Sequence, residues 1–453
     1  MCGSCFDRAV RRARRQKGYV LILGALMLFF VLVPAAGLAI DVGMMYLTQS
    51  LLSAASDGAA LAGARAFSRG SNDAAQDANA ESTANAYLYA NFPAGYMWST
   101  NLQVSSVAAT SSQYVRSLTT TASVQLPLIF LRFYRVNATT VSATSVATRR
   151  DANVMIIMDR SGSLQTSGAC SPLKAAAVNF VDKFAENRDN LGLITFATSS
   201  RIDSPLATVF KTNMTTVLNE VTCTGWTSTA QAIWQGYDQL VALNQPGALN
   251  ALVLFTDGLP TSATEDFPIK ASPNKCTPKT LTGVLADGPD GLYNQNAPPQ
   301  PIVSDQTLIS GTSHCAFPAV TDLQYAPLTD HWGNSLTVTA YKSVTYSGAG
   351  LKVSSSSNID NFSTNAADDA ALRVRSGVPD PAQANQSLSG VVIYTIGLGD
   401  VDSTLLERIA NDPALSPNPV AAGAQGKYEY AGNATALNDA FTAVASEVLR
   451  LAQ

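Results

Sequence analysis

Three short clusters of oxygen-bearing side chains stand out in the chain. Asp159-Arg160-Ser161-Gly162-Ser163 follows the apolar run 153–158, Gly225-Trp226-Thr227 lies in a polar stretch, and Thr256-Asp257-Gly258 closes the apolar run 251–256. Carboxylate and hydroxyl oxygens are hard donors of the kind that hold Mg²⁺, Mn²⁺ or Ca²⁺. The plainer use of Asp and Ser after a strand is to cap the next helix. The first cluster alone allows either use, whereas three clusters in order, each closing or following an apolar element, favour a binding site. Nucleophilic catalysis lacks its parts: Ser161 and Ser163 have no histidine near them in sequence, and no Gly-x-Ser-x-Gly elbow occurs. The two histidines, His314 and His331, are too few for most zinc sites or for His-based acid–base chemistry. The reading is a binding protein, not an enzyme.

The elements that would position these clusters are legible in the hydrophobic pattern. Runs at 153–158, 191–196, 251–256 and 391–396 are short, apolar and rich in β-branched residues, as buried strands are. Between and after them come helical spacings: Leu173, Ala177, Phe180 and Phe184; Ile233, Tyr237 and Leu240; and, in a closing helix from Ala434, Leu437, Phe441, Val444, Val448 and Leu451. Alternating strands and helices give a doubly wound, mostly parallel sheet, in which ligands bind beyond the carboxyl ends of the strands. More than a hundred residues separate Asp257 from the strand at 391, where such a fold needs only one helix and short loops. An insertion is therefore expected at about 262–389, partly ordered, with a short β element around Leu336 to Thr339.

With these motifs in place, residues 151–453 resemble a von Willebrand factor A domain, a Rossmann-like α/β fold. Asp159, Ser161, Ser163, Thr227 and Asp257 match the five ligand positions of its metal-ion-dependent adhesion site. The resemblance implies Mg²⁺, with Mn²⁺ or Ca²⁺ as alternatives, and a coordination position left for water or for an acidic group of a protein partner. It also implies that Asp159 acts mainly through waters and the two serines, and that Thr227 is the ligand that comes and goes.

The N-terminal third reads differently. Arg8, Arg11, Arg12, Arg14, Arg15 and Lys17 precede an uncharged stretch, 19–40, that ends at Asp41. About 20 apolar residues at 1.5 Å rise suffice to cross a bilayer, and the positive-inside rule keeps the basic tail, 1–18, in the cytoplasm. A cleavable signal with Pro34-Ala-Ala-Gly37 as its cleavage region is the competing reading, but the stretch is longer than a signal core. The Gly18-Tyr19 junction is similar to a prepilin cleavage site, although Leu23 stands where a glutamate is expected. Beyond the span, Met44, Leu47, Leu51, Ala55, Ala59 and Ala62 continue a helix, either as a stalk on a partner or docked on the chain's own outer domain. Residues from about 101 to 148 alternate apolar and polar, as strands do, and Leu126 to Tyr134 is too apolar to be left in water. A small α+β stalk domain over 41–150 follows.

The basic tail, Gly18, the span, Asp41 and then Ser56-Asp57-Gly58 leading to Ala64 resemble the N-terminal module of TadG-like proteins of the tight-adherence (Flp) pilus system. That resemblance implies a single-pass protein of the bacterial inner membrane. Its A domain would be periplasmic or extracellular and its partners pilus or secretion-system components. A surface adhesin for host or matrix ligands is the alternative. A net charge of −4 with no basic run beyond the tail argues against nucleic acid. Of six cysteines, Cys2 and Cys5 precede the span. Cys170 lies seven residues after the first cluster and Cys223 four before Thr227, so the pairs Cys170–Cys223 and Cys276–Cys315 are expected outside the cytoplasm; four free thiols are the alternative.

Overall fold

The computed structural model describes residues 19–70, 72–112, 114–269, 277, 279–286, 292–294, 323–337, 341–348, 350–414 and 423–452. The chain forms two compact units, 1–111 with 116–149, and 112–115 with 150–453.

In the first unit one helix, α1, runs from Tyr19 to Ala66. Its two halves obey opposite rules. From Tyr19 to Ile40 the large apolar side chains are exposed, whereas Asp41, Met44, Thr48, Leu52, Ala55, Ser56, Ala59, Ala60 and Gly63 are buried. The second half therefore docks on its own unit: a second helix, α2 (Asp73–Asn91), and a three-stranded sheet of β1 (Thr100–Ser112), β2 (Val115–Pro127) and β3 (Ala138–Arg150) cover it. Small residues permit the close approach. A Cβ added at Gly63 would lie 2.7 Å from the carbonyl oxygen of Ala80 in α2. Asp57 of the Ser56-Asp57 pair accepts a hydrogen bond from the Ser145 hydroxyl of β3, so that pair is part of the helix–sheet seam. Alternation holds in β2, where Leu118, Ala122, Val124 and Leu126 face inward.

The second unit is built on a six-stranded sheet. Its strands are β4 (Ala152–Asp159), β5 (Asn190–Phe196), β6 (Ser200–Ala207), β7 (Leu249–Thr256), β14 (Val392–Leu398) and β15 (Tyr428–Ala431), in the order β15-β14-β7-β4-β5-β6. All neighbours are parallel except β5 and the edge strand β6. Every residue of β4 is buried because each face of the sheet carries helices. Val154, Ile156 and Met158 pack in one cluster with Phe180 of α4 (Cys170–Val181), Leu218 of α5 (Lys211–Glu220) and Phe441 of α9 (Leu437–Leu451). Met155 and Ile157 pack in a second cluster with Ile233 and Trp234 of α6 (Thr229–Leu243), Phe362 of α7 (Ser356–Arg375) and Ile409 of α8 (Ser403–Ala410). Strand order reverses beside β4, which places its carboxyl end at the crevice where such sheets bind ligands.

The segment expected as a partly ordered insertion contains more regular structure than its composition suggests. β8 (Ser262–Pro268) pairs antiparallel with β9 (Thr280–Ala286), which pairs with β10 (Leu292–Tyr293), and β11 (Tyr325–Ala326) and β12 (Tyr346–Ser347) both pair antiparallel with β13 (Gly350–Lys352). The 20-residue α7 belongs to the helical layer, burying Ile359, Phe362, Ala366, Ala367, Ala370 and Ala371. No strand forms at Leu336 and Thr337; the nearby pairing is a single bridge between Thr329 and Ser335, and 338–340 lie outside the described residues.

Candidate metal centre

β4 ends at Asp159, and the chain turns at once into the short helix α3 (Gly162–Thr166). The turn folds Ser161 back on the strand end: its backbone N–H donates to Asp159 Oδ1 at 2.7 Å. Asp159 Oδ2 accepts from the Thr256 hydroxyl at 2.6 Å, which ties the ends of β4 and β7 together. Asp257, one residue on, accepts from the Ser163 hydroxyl at 2.7 Å and, more loosely, from Ser161 at 3.4 Å. The two serine hydroxyls are 2.9 Å apart. Asp159, Ser161, Ser163 and Asp257 therefore form one connected cluster.

Thr227 is held nearby by its backbone. Its N–H donates to the Thr261 hydroxyl and its carbonyl accepts from the Thr261 N–H, both at 3.0 Å. Its hydroxyl has no hydrogen bond to the other four side chains. The loop bearing it is locked to the first cluster: Gly162 N–H donates to the Gly225 carbonyl at 3.0 Å, and Thr224 N–H donates to the Arg160 carbonyl at 2.7 Å. Gly225 is required there, because its φ is +93° and a Cβ would lie 2.6 Å from the Thr198 hydroxyl. A disulfide between Cys170 and Cys223 fastens the start of α4 to the same loop, the expected pairing. In the chain-entropy model a closed loop of this length contributes about 4 kcal/mol. Cys276 and Cys315 lie outside the described residues, as do His314 and the basic tail.

The electrostatics are unbalanced. Asp159 is wholly buried. Burial, and then the negative charge of Asp257, push its carboxyl up to about 7 despite hydrogen bonds from Thr256 and Ser161 that pull the other way. Burial likewise raises Asp257, opposed by the hydroxyls of Ser163 and Ser161. Two converging carboxylates, hydroxyl donors and an exposed rim at Ser163 make an oxygen-only set with surplus negative charge, which suits a hard divalent cation. Among the described residues no group of three or more His, Cys, Asp or Glu side chains could hold a metal, so a cation here depends on the hydroxyls.

Two participants have roles that the sequence did not assign. Thr256 holds the second oxygen of Asp159, and the residue preceding Asp257 at the end of a buried strand was the available signal. Thr198 carries the Thr227 loop by accepting from Trp226 N–H at 3.2 Å, and nothing local in the sequence marks it.

The von Willebrand factor type A domain family matches residues 153–276. The family described as Flp pilus-assembly TadE/G-like matches residues 18–66. No curated protein matches the chain. Similar solved structures include the PilB minor pilin from Streptococcus sanguinis, at 14% identity over 78% of this chain and 79% of that one, with a TM-score of 0.36. The pilus adhesin SpaC from Lactobacillus rhamnosus GG in its open conformation gives 14% identity, 79% and 35% coverage and 0.35. The vWF domain of the type V pili tip protein Mfa5 from Porphyromonas gingivalis gives 15%, 68% and 98% coverage and 0.37.

Proposed function

We propose a membrane-anchored pilus protein that binds a protein partner through a divalent cation, a reading supported by the pairing of a TadE/G-like pilus-assembly match at residues 18–66 with a von Willebrand factor type A domain match at residues 153–276. The observation that carries the reading is the convergence of Asp159, Ser161, Ser163 and Asp257 at the carboxyl edge of the sheet.

Ser161, Ser163 and Thr227 would supply hydroxyls, and Asp159 and Asp257 carboxylates, to Mg²⁺, with Mn²⁺ or Ca²⁺ as substitutes. A cation held there would supply positive charge for an acidic group of the partner, and that bridge would be the chemistry. Asp159 sets the charge of the site and keeps Ser161 in place through its N–H. Asp257 orients both serine hydroxyls. Thr227, tied by its backbone but not by its hydroxyl, is free to join or leave the set. Binding, not hydrolysis, is the role this reading assigns to the cluster.

The apolar half of α1, 19–40, serves as a single-pass anchor in the inner membrane, with the A domain outside the cytoplasm and pilus or secretion components as partners. The test is capture of envelope proteins by the detergent-solubilised chain in Mg²⁺, in EDTA and with Asp257→Ala. A partner retained only by the wild type in Mg²⁺ supports the reading; retention unchanged by both treatments overturns it. Recovery of the protein in surface-sheared material would move the assignment to a surface adhesin.

A further inference from the structure

Within the first unit, the turn between β2 and β3 is the feature that neither the sheet nor the metal site accounts for. Asp41, the first charged residue after the apolar stretch, is wholly buried because this turn closes over it. Its Oδ1 accepts from Ile129 N–H at 2.9 Å, and its Oδ2 accepts from Phe130 N–H at 3.0 Å and Leu131 N–H at 2.7 Å. One turn earlier on the helix, Gly37 receives the Phe130 ring so closely that a Cβ would lie 2.3 Å from it. The turn is thereby fixed alongside residues that belong to the apolar stretch itself.

Several of its other side chains are exposed. Phe133 is 86% exposed and Tyr134 69%, with Ile129 and Val136 at 45% each. Arg132 and Arg135 are exposed beside them. Between turn and helix runs an apolar cleft of about 880 Å³, lined by Phe29, Phe30, Val33, Leu38, Phe130 and Phe133 among others. From Gly37 down to Phe29 is about 12 Å along the helix axis at 1.5 Å per residue. In water such a cleft and such aromatics would be strongly unfavourable. At the boundary between acyl chains and headgroups they are at home, since aromatic rings prefer that level and arginines reach phosphates from it.

We propose that residues 128–136 form a second membrane-contacting element, with Phe133 and Tyr134 at the acyl–headgroup boundary, Arg132 and Arg135 at phosphates, and a phospholipid acyl chain in the cleft against α1. The occupant follows from continuity: the cleft is one wall of the stretch 19–40, so it lies in lipid if that stretch spans the membrane. This rests on the anchor reading above, and the two can fail separately.

The full chain, in its own membranes, is made with the photocrosslinker p-benzoylphenylalanine replacing Phe29, Phe133 or Tyr89, the last an exposed site on α2. Membranes are loaded with a clickable phospholipid and irradiated. Lipid adducts at 29 and 133 but not at 89 are expected. Adducts at 29 alone overturn the proposal and leave the anchor standing; adducts at neither overturn both. Labelling at 89 equal to that at 133, or protein adducts in place of lipid at 133, overturns the assignment of the turn. Gly37→Leu, which displaces the Phe130 ring, should lower lipid labelling at 133 severalfold while leaving 29 unchanged; equal labelling in that variant would show that the seat of the turn on the helix is irrelevant.

Discussion

Asp41 and Asp159 are both wholly buried aspartates at the junction of two elements, yet they do opposite things. Three backbone N–H groups, all from one turn, converge on Asp41 and use both of its oxygens. Its charge is met by dipoles that cannot leave, so the interaction is complete and its product is a fixed turn. Asp159 receives one backbone N–H and one hydroxyl, and a second carboxylate faces it. That charge is not met by the protein, and the proposed binding role rests on this difference. A buried carboxylate by itself indicates neither role; the count and attachment of its donors do.

The comparison can be broken most sharply by removing the second carboxylate. Asp257→Ala should abolish Mg²⁺ binding, a loss beyond a hundredfold in calorimetric titration, while circular dichroism stays native because the site lies at the sheet's edge. Retained affinity would show that the hydroxyls and Asp159 suffice. At the other aspartate, Asp41→Ala leaves three N–H groups without their acceptor. It should cost on the order of 3 kcal/mol in urea unfolding of the first unit, with Mg²⁺ affinity unchanged. A neutral result would mean that the turn finds water or another acceptor at no cost.

Asp159→Asn should act in the opposite direction on stability. The carboxyl sits at about 7 in the fold against an ordinary aspartate value of 3.8, so it favours the folded state while protonated. That contribution is present at acid pH and is lost as pH rises from roughly 4 to 7. Above pH 7 the ion-free domain should therefore gain up to about 4 kcal/mol on conversion to the uncharged amide, read as a higher urea midpoint, even though Mg²⁺ no longer binds. A destabilised variant at pH 8 would mean that the hydrogen bonds from Ser161 and Thr256 outweigh the repulsion.

The smallest effect is in the pH dependence of the wild type. Because a cation needs Asp159 ionised, Mg²⁺ affinity should fall about tenfold for each pH unit below 7 and level off above it. A flat profile between pH 5.5 and 8 would place the two carboxylates in the ordinary acid range and remove the basis of the contrast.

The central strands, their helices and the grouping of Asp159, Ser161, Ser163 and Asp257 at one end of the sheet were legible in the sequence because each motif is local. A strand covered on both faces must read as a continuous apolar run, as 152–159 does, and the residue that ends it must lie at the ligand-binding edge. The Cys170–Cys223 pairing was legible for the same reason, since both positions are tied to motifs at that edge. Less visible was α7, whose buried face mixes alanines with Ser, Thr, Asn and Asp, and whose neighbours in sequence are rich in turn formers. Composition spoke for a loop, and packing against Trp234 and its surroundings made it a helix layer.

At the apolar stretch and at Asp41 the division is clearest. The uncharged residues 19–40, and the burial pattern at every third or fourth position from Met44 to Gly63, are set by side-chain type alone, since apolar surface must leave water and a helix repeats every 3.6 residues. Whether that second half met a partner or its own unit was not determined by the pattern, because both offer the same apolar relief; the sheet of β1, β2 and β3 decided it. Nor could sequence join Asp41 to Ile129, Phe130 and Leu131, nearly ninety positions away. A carboxylate states only that it needs donors, and which donors reach it is fixed when the chain has closed.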